Sequence, residues 1–331
     1  MKTSEFVHHH VHTDHSFIDG LGTIDRTISH AKSLGFTALG MTDHGTLGGT
    51  ISFIESANEY GIKPIIGLEG YVNVSGKRFH ITLLANGNEG FANLVKLNNI
   101  GVENYNRRPT FDIGDFKHHN KGVYLLTGCP SSPMQQESYS DSVEQFKYLK
   151  KIFGDRMFVE MMLVNYGTPY IRAIQLSESF NTPIIVTNDV HFAKKEDAPV
   201  HHTLQKMNTG NAYNSEHLYL ATPDELIERL KIEFERPDLV KYLEKGMRNA
   251  GKLADILNPP KFDNTPKLPY IENADKKLWQ LIEQGYENRV KQGQIEDSPV
   301  YRDRYYKEYQ VIKNMDFSSY FMIVYDICNY S

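Results

Sequence analysis

Short apolar runs alternate with helix-period segments over the first 192 residues. The runs are FVHHHVH, FTALGM, KPIIGLEGYV, HITLLA, GVYLLTGC, MFVEMMLV and TPIIVTNDVHF, with helical patterns between most of them, at about 23–34, 49–60, 91–99, 143–153 and 169–180. This alternation is typical of parallel βα units. No G-x-G-x-x-G follows the first run, so seven such units favour a barrel over an open dinucleotide-binding sheet.

From residue 211 the alternation is lost, and the sequence becomes helical and charged. The stretch NPPKFDNTPKLP at 258–269 is rich in proline and is typical of a domain boundary. We therefore predict two domains, 1–265 and 266–331. The first would be an α/β barrel, and the second a smaller, mostly helical segment.

The bulk composition limits the class of protein. With 331 residues and 40% hydrophobic content, the chain can bury one large core and a smaller appendage. A net charge of -5 argues against non-specific coating of nucleic acid, while leaving room for a local basic groove. Two cysteines are too few for a disulfide framework, and no apolar run approaches the roughly 20 residues needed to span a bilayer. We expect a cytoplasmic protein without a membrane partner.

Residue types that bind metals collect where the apolar runs end. Five of the seven runs are followed or closed by such residues, and in parallel βα folds the carboxyl ends of the strands face one cavity. Two pairs are spaced i, i+2, so that each pair projects from one side of its strand. The residues are His10 and His12, Asp43 and His44, Glu69, Cys129, Asp189 and His191, with Asp19 in the loop after the first run.

Each of these residues also has an ordinary explanation. A single histidine at a strand end is commonly a hydrogen-bonding residue, Asp43 fits an N-cap, and Cys129 fits a small core residue or a thiol nucleophile. The alternation in MFVEMMLV does not fix the side on which Glu160 lies. Their joint occurrence favours a site with several metals, because so many buried polar groups would otherwise lack partners.

Six motifs, in order, resemble those of a known family. HVHTDHSFIDG, ALGMTDHGTLGGTISF, GIKPIIGLEGYV, HITLLA, GCPSS and TNDVHF resemble the polymerase and histidinol phosphatase (PHP) domain, in the version found at the N-terminus of bacterial DNA polymerase III alpha subunits. LYLATPDELIERL and YRDRYYKEYQVIKNMDFSSYFMIVYDICNY resemble the continuation towards the palm region of that family. The resemblance covers essentially the whole chain.

The resemblance implies a distorted seven-stranded β/α barrel, with a PHP phosphoesterase domain at 1–265 and the start of a palm at 266–331. It also implies two or three divalent ions of zinc, manganese or iron. Unlike the other ligands, His80 precedes its apolar run. The implied ligands are His10, His12, Asp19, His44, Glu69, His80, Cys129, Asp189 and His191.

The activity implied by the resemblance is 3′-5′ exonuclease proofreading at a DNA 3′ end. Metal ions can bind a water molecule, lower its pKa and clamp the reacting oxygens. We assign catalysis to His12, His44 and Asp19, with either histidine as the candidate general acid. In GVENYNRRPTFD, an aromatic and two cationic residues would contact the substrate by stacking and phosphate binding, although a solvated loop explains them equally well. They are Tyr105, Arg107 and Arg108.

Polymerase activity is not expected from this chain alone. No two aspartates are separated by a single residue, whereas the palm of this family needs such a pair for magnesium. The apolar end YFMIVYDICNYS predicts the remaining polymerase portion as a partner, in the same gene or on a second chain. Two other functions stay open. The barrel would be a metal-stabilised scaffold without catalysis, or a small-molecule phosphatase of the histidinol phosphate type.

Overall fold

The computed structural model describes residues 1–136, 138–163, 167–210, 216–263, 265, 267 and 269–330. The chain divides into two compact units, Met1–Lys261 and Phe262–Ser331. The division falls within the Pro-rich stretch at 258–269, close to the predicted boundary at 265 and 266. Residues 264, 266 and 268 of that stretch lie outside the described residues. The roles assigned to the two domains stay predictions.

A curled sheet of seven strands forms the centre of the first unit. The strands are β1 (Ala38–Met41), β2 (Lys63–Val74), β3 (Lys77–Ala85), β4 (Thr110–Asp112), β5 (Val123–Leu126), β6 (Met157–Met162) and β7 (Ile184–Thr187). The order in the sheet is β1-β2-β3-β5-β6-β7, and β4 pairs with β2 outside this path. Six of the predicted runs contain a strand, whereas the short β4 was not predicted.

The first predicted strand closes the sheet into a distorted barrel. Its extended backbone lies between β1 and the segment after β7, because the amide of Gly40 donates to the His8 carbonyl (2.8 Å) and the amide of His12 donates to the Val190 carbonyl (2.7 Å). The predicted barrel is confirmed. The segment is not a regular strand, however, and its one bridge within the described residues pairs Val11 with Val190.

An extra residue in this segment explains why the ladder is interrupted. The amide of Gly40 donates to the His8 carbonyl, and the amide of Thr42, two residues later, donates to the carbonyl of Val11, which is three residues after His8. The closing segment therefore has one more residue than β1 between these two hydrogen bonds. This offset is that of a β-bulge, which redirects side chains and breaks the pairing. His8 binds the Ala221 carbonyl through Nε2 (2.8 Å), although simple alternation would align it with the two later histidines.

The parallel pairing that the alternation favours does not extend to β3. β2 and β3 form an antiparallel hairpin, in which Gly67 lies opposite Leu84 and Val74 opposite Lys77. The two residues between the strands, Ser75 and Gly76, both have positive φ (51° and 82°), as a tight hairpin turn requires. β3 is also antiparallel to β5, and the other paired strands are parallel.

Helices cover the barrel and confirm the predicted alternation. They are α1 (Ile24–Ser33), α2 (Thr50–Glu59), α3 (Gly87–Glu103), α4 (Pro133–Gln136), α5 (Tyr139–Phe153), α6 (Gly167–Phe180), α7 (Ala198–Thr209), α8 (Pro223–Glu228) and α9 (Val240–Ile256). All residues of β1 and β7 are buried, as expected for strands covered on both faces. In α9, Gly246 allows close contact with Ile184 and Val186 of β7.

The second unit is mostly helical, as predicted. It contains α10 (Ala274–Lys291), α11 (Pro299–Asn314) and α12 (Ser318–Tyr330). The ring of Trp279 in α10 lies 4.8 Å from that of Tyr309 in α11, centroid to centroid, so aromatic contacts join these two helices. Within the described residues, no helix combines the length and the apolar character that crossing a membrane would require.

Barrel closure should be sensitive to a single methyl group at Gly40. A Cβ added there would lie 2.4 Å from the His9 carbonyl oxygen, so Gly40→Ala must push the closing segment away from β1. We expect the free energy of unfolding to fall by about 1–3 kcal/mol, measured by urea denaturation. Gly114→Ala is the control, because its Cβ would meet nothing within 4 Å. Equal stability of the two variants would contradict this account of closure.

Candidate metal centre

The nine predicted ligands lie together at the carboxyl edge of the barrel. They come from the closing segment, from the loops after β1, β5 and β7, and from the paired strands β2 and β3. Every one is linked to the cluster by at least one contact between side-chain polar atoms, and three groups of three are close enough to hold an ion. These groups are His12, His44 and His191; His10, His12 and Asp189; and His44, Glu69 and His80.

Glu69, which is buried in β2, is at the centre of the cluster. Its Oε1 lies 3.1 Å from Nδ1 of His80 and 3.5 Å from Nε2 of His10. Its Oε2 lies 2.5 Å from Nδ1 of His44 and 3.4 Å from Nε2 of His12. The two oxygens of one carboxylate therefore face four imidazoles, which is an arrangement suited to bridging two cations.

Asp19 and Asp189 complete the acidic part of the cluster. Oδ1 of Asp189 lies 3.3 Å from Nε2 of both His10 and His12. Asp19 approaches the other side, with Oδ1 3.5 Å from Nε2 of His44 and Oδ2 3.7 Å from Nε2 of His191. Three carboxylates and five histidines thus form one continuous network.

The antiparallel direction of β3 explains why His80 can join this edge although it precedes its apolar run. In a hairpin the start of the second strand lies beside the end of the first, and His80 pairs with Tyr71 near the end of β2. Nδ1 of His80 lies 3.6 Å from Sγ of Cys129. Burial, followed by the charge of Glu69, raises the pKa of the Cys129 thiol well above its ordinary value, which disfavours its alternative role as a free thiolate nucleophile.

Glu160 orients His10 and was not placed by the sequence. Its buried carboxylate accepts from Nδ1 of His10 (2.9 Å), from the Thr82 and Thr187 hydroxyls (3.1 and 2.6 Å) and from the Gly128 amide (2.9 Å). This bond keeps the hydrogen of His10 on Nδ1 and leaves Nε2 free to face the cluster. Carboxylates behind metal-binding imidazoles have this role in many proteins.

Asp43 orients His12 indirectly, through Ser16. The carboxylate accepts from the Thr13 amide (2.6 Å) and the Ser16 hydroxyl (2.7 Å), and it does not cap α2, which begins at Thr50. Because the Ser16 hydrogen points to Asp43, the hydroxyl oxygen accepts from Nδ1 of His12 (3.1 Å). Nε2 of His12 therefore also carries a lone pair towards the cluster. The N-cap explanation of Asp43 is wrong.

A buried arginine supports the loop that carries Asp189. The backbone of Asp189 is left-handed (φ 50°), which is unfavourable for a non-glycine residue. The neighbouring Asn188 donates to the carbonyls of His217 and Tyr219 (both 2.7 Å) and accepts from Nη1 of Arg229 (3.0 Å). Arg229 begins a short π-helical turn, Arg229–Glu233. These contacts hold the loop in place and maintain the strained backbone of Asp189, a predicted ligand.

The arrangement of lone pairs fits bound cations. Nε2 of His10 and Nε2 of His12 face each other at 3.1 Å, and both rings use their hydrogens at Nδ1. A proton or a metal ion must lie between two such lone pairs. Across the described part of the chain, Oδ1 of Asp19, Nδ1 of His44 and Oε2 of Glu69 are buried and lack a hydrogen bond of normal geometry, although the last two atoms lie 2.5 Å apart. The mixed nitrogen, oxygen and sulfur donors suit zinc, manganese or iron.

The ionisation of the cluster reflects its mixed charges. Burial would raise the pKa values of Asp19, Glu69 and Asp189, but neighbouring imidazoles lower all three below their ordinary values. Burial lowers the pKa of His12 to about 3, assisted by two adjacent imidazoles. Burial also opposes protonation of three other imidazoles, but nearby carboxylates outweigh it and raise the pKa values of His10, His44 and His191.

Comparison with known proteins gives one family match in each of the two units. Residues 8–163 match the family model of the PHP domain, and residues 276–331 match that of the bacterial DNA polymerase III alpha NTPase domain. Residues 8–163 thus match a PHP domain, and the second unit is similar to the polymerase III alpha family. Asp189 and His191 lie outside the matched range, and the closing of the barrel brings them to the other predicted ligands.

Curated relatives extend the match to nearly the whole chain. The DNA polymerase III subunit alpha of Aquifex aeolicus is 29% identical over 99% of this chain, and that of Borreliella burgdorferi is 28% identical over 99%. The chain spans 31% and 30% of the length of these two relatives.

Solved structures similar to the PHP domain include an amidohydrolase from Chromobacterium violaceum with bound sulfate and no metal. Its TM-score is 0.45 at 12% identity, over 56% of this chain and 87% of that protein. Another is a two-domain protein from Bacteroides vulgatus containing a predicted PHP-like metal-dependent phosphoesterase. Its TM-score is 0.39 at 17% identity, over 61% of this chain and 55% of that protein.

The residues predicted to contact substrate lie in one segment of the PHP domain, and they differ in exposure and in their contacts. Tyr105 is 63% exposed, and Arg107 is exposed with a left-handed backbone (φ 63°). Arg108 is half-buried and lies over the ring of Tyr71, 5.9 Å from its centroid. Tyr71 in turn stacks on His44 of the cluster, so Arg108 is the member that the fold connects to the centre.

Removing the charge of Glu160 should weaken metal binding, although all nine predicted ligands remain. Glu160→Gln keeps the shape but turns an amide group towards donors that need an acceptor, and it makes Nε2 of His10 less basic. We expect metal affinity to fall by about 10–100-fold, measured by titration against a competing chelator. Glu59→Gln, on the exposed end of α2, is the matched control. Equal affinities for the two variants would refute the orienting role of Glu160.

Metal binding should compete with protons. His10, His44 and His191 have pKa values raised above 6.5, so in the metal-free protein they hold protons that a metal must displace. Apparent manganese affinity should therefore rise with pH through this range, by roughly tenfold per pH unit for each proton displaced. Calorimetric titrations in two buffers of different ionisation enthalpy would measure the released protons. An affinity that is constant between about pH 6 and about pH 7.5 would contradict the pKa directions.

Proposed function

We propose that this chain is the metal-dependent phosphoesterase portion of a DNA polymerase III alpha-like subunit, and that it hydrolyses DNA from the 3′ end in a proofreading role. The observation that carries this proposal is the convergence of nine ligand-type side chains in which two histidine Nε2 lone pairs face each other at 3.1 Å. Two such lone pairs need a proton or a metal ion between them, which makes the site suited to binding cations, and phosphodiester hydrolysis is a typical reaction of sites that hold two or more metals.

We assign the nine predicted ligands to two or three ions of zinc, manganese or iron. The three groups of potential ligands overlap, since His12 and His44 each belong to two of them, so neighbouring ions would share this region. Glu69 would bridge, because its two oxygens face different imidazoles. When bound, the ions supply an activated water molecule and neutralise charge on the phosphate.

The chain's own residues favour substrate approach from the side of His44 and His80. The side chains of His44 and His80 are 13% and 25% exposed, whereas those of His10 and His12 are fully buried. Of the two histidines predicted as candidate proton donors, His44 is therefore the more accessible, and it could deliver a proton only from a ring nitrogen that does not bind an ion. Asp19 lies 3.5 Å from Nε2 of His44 and would orient that imidazole.

The proposed partners are a DNA 3′ end and the remaining polymerase portion. The curated relatives are polymerase III alpha subunits that are about three times longer than this chain, which supports a shared role in replication. The aspartate pair expected of the family palm is not found in this sequence. We therefore assign hydrolysis to this chain and nucleotide addition to the rest of such an enzyme, in the cytoplasm.

The direct experiment is time-resolved cleavage of a 3′-labelled single-stranded oligodeoxynucleotide, with and without added manganese or zinc. We expect label release to require metal. It should fall by about 100-fold or more in Asp19→Ala, because that variant removes a proposed ligand that also contacts His44 and His191. Asp14→Ala, an exposed aspartate in the same loop, should retain activity.

Two outcomes would replace this proposal by the alternatives. Absence of cleavage with any metal, while elemental analysis still finds bound ions, would mean that the centre is a structural scaffold. Phosphate release from a small monoester that is faster than nucleotide release from DNA would mean a phosphatase of the histidinol phosphate type.

A further inference from the structure

Two arginines flank Tyr71 at the accessible edge of the centre. Cζ of Arg78 and Cζ of Arg108 each lie 5.9 Å from the centroid of the Tyr71 ring. The same ring stacks on His44 at 6.0 Å and meets His80 edge-on at 4.9 Å, centroid to centroid. Tyr71 therefore joins both guanidinium groups to the two most accessible imidazoles of the centre.

Backbone and packing contacts fix the two arginines beside this ring. Nη1 of Arg78, on β3, donates to the Asn106 carbonyl (2.9 Å), which ties the hairpin to the segment that carries Arg108. Gly45 packs so closely that an added Cβ would lie 2.6 Å from Pro109 and 3.1 Å from the Tyr71 ring. The segment is thus anchored where it approaches the centre.

The charges of the two arginines are available to an anion. Within the described residues, the hydrogen bonds of both guanidinium groups go to backbone carbonyls, and no carboxylate pairs with either. The chain as a whole carries a net charge of -5, and the adjacent centre contains three carboxylates. Planar guanidinium groups without a carboxylate partner are suited to binding phosphate oxygens.

We propose that Arg78 and Arg108 bind the phosphates of a DNA strand next to the phosphate that is hydrolysed. This inference rests on the proposed nuclease function and deepens it. It names the substrate class as an oligodeoxynucleotide with phosphodiesters beyond the scissile one, as opposed to a small phosphate ester. It also replaces the neighbouring pair Arg107 and Arg108 by a pair drawn from two different elements.

The test begins with binding, which does not depend on turnover. Fluorescence anisotropy would follow a 5′-labelled single-stranded oligodeoxynucleotide on the full chain, over a series of salt concentrations. Arg78→Gln and Arg108→Gln should each reduce the slope of log affinity against log salt by about 0.7, and the double variant by about twice that amount. Arg248→Gln, an exposed arginine near the amino ends of β1 and β2, should leave the slope unchanged.

The second readout is kinetic, with manganese added. Each variant should raise the KM for the oligonucleotide by about tenfold while leaving hydrolysis of bis(p-nitrophenyl) phosphate unchanged. Salt slopes equal to that of Arg248→Gln, or equal losses on both substrates, would overturn the inference. If the wild-type chain binds DNA with the expected salt slopes but hydrolyses no substrate with any metal, the proposed function fails and the assignment of the two arginines stands.

Discussion

The facing Nε2 atoms of His10 and His12 set the central electrostatic problem of this protein. At 3.1 Å, two nitrogen lone pairs repel unless a cation or a proton lies between them. The carboxylates of Glu69 and Asp189 beside them supply the opposite charge, and surrounding imidazoles lower the pKa values of both carboxyl groups. Neither set would be stable alone in a buried site, so the acids and the imidazoles stabilise one another.

The outer polar residues convert this charge balance into a defined geometry. Glu160 and Ser16 each fix one imidazole by its Nδ1 hydrogen, and Asp43 fixes Ser16. Asn188 and Arg229 restrain the strained loop at Asp189. Each buried polar group of this layer has several partners, so its removal would leave donors or acceptors unpaired. The layer explains why the predicted ligands have a defined orientation without an ion.

The sequence predicted the ligands better than the framework that holds them. Polar residues at strand ends and six ordered motifs identified nine positions that the fold brings together, although their role as ligands stays a proposal. Strand direction could not be deduced from alternation, and the turn at Ser75 and Gly76 was the available signal. Glu160 was ambiguous because β6 is buried on both faces, where alternation carries no information. Arg78 was missed because its proximity to Arg108 depends on the hairpin and a distant loop.

The large sequence separation between residues of the cluster has a consequence for how the protein folds. His10 and Glu160 are 150 residues apart, and the closing segment must meet the end of β7 before His10, His12 and Asp189 share a site. Contacts between residues so distant in sequence form late, because they carry the largest loop-closure entropy. An intermediate that lacks the closing segment would hold only part of the donor set. Metal binding at the proposed site would therefore report on completion of the barrel, and its free energy would stabilise the last step of assembly.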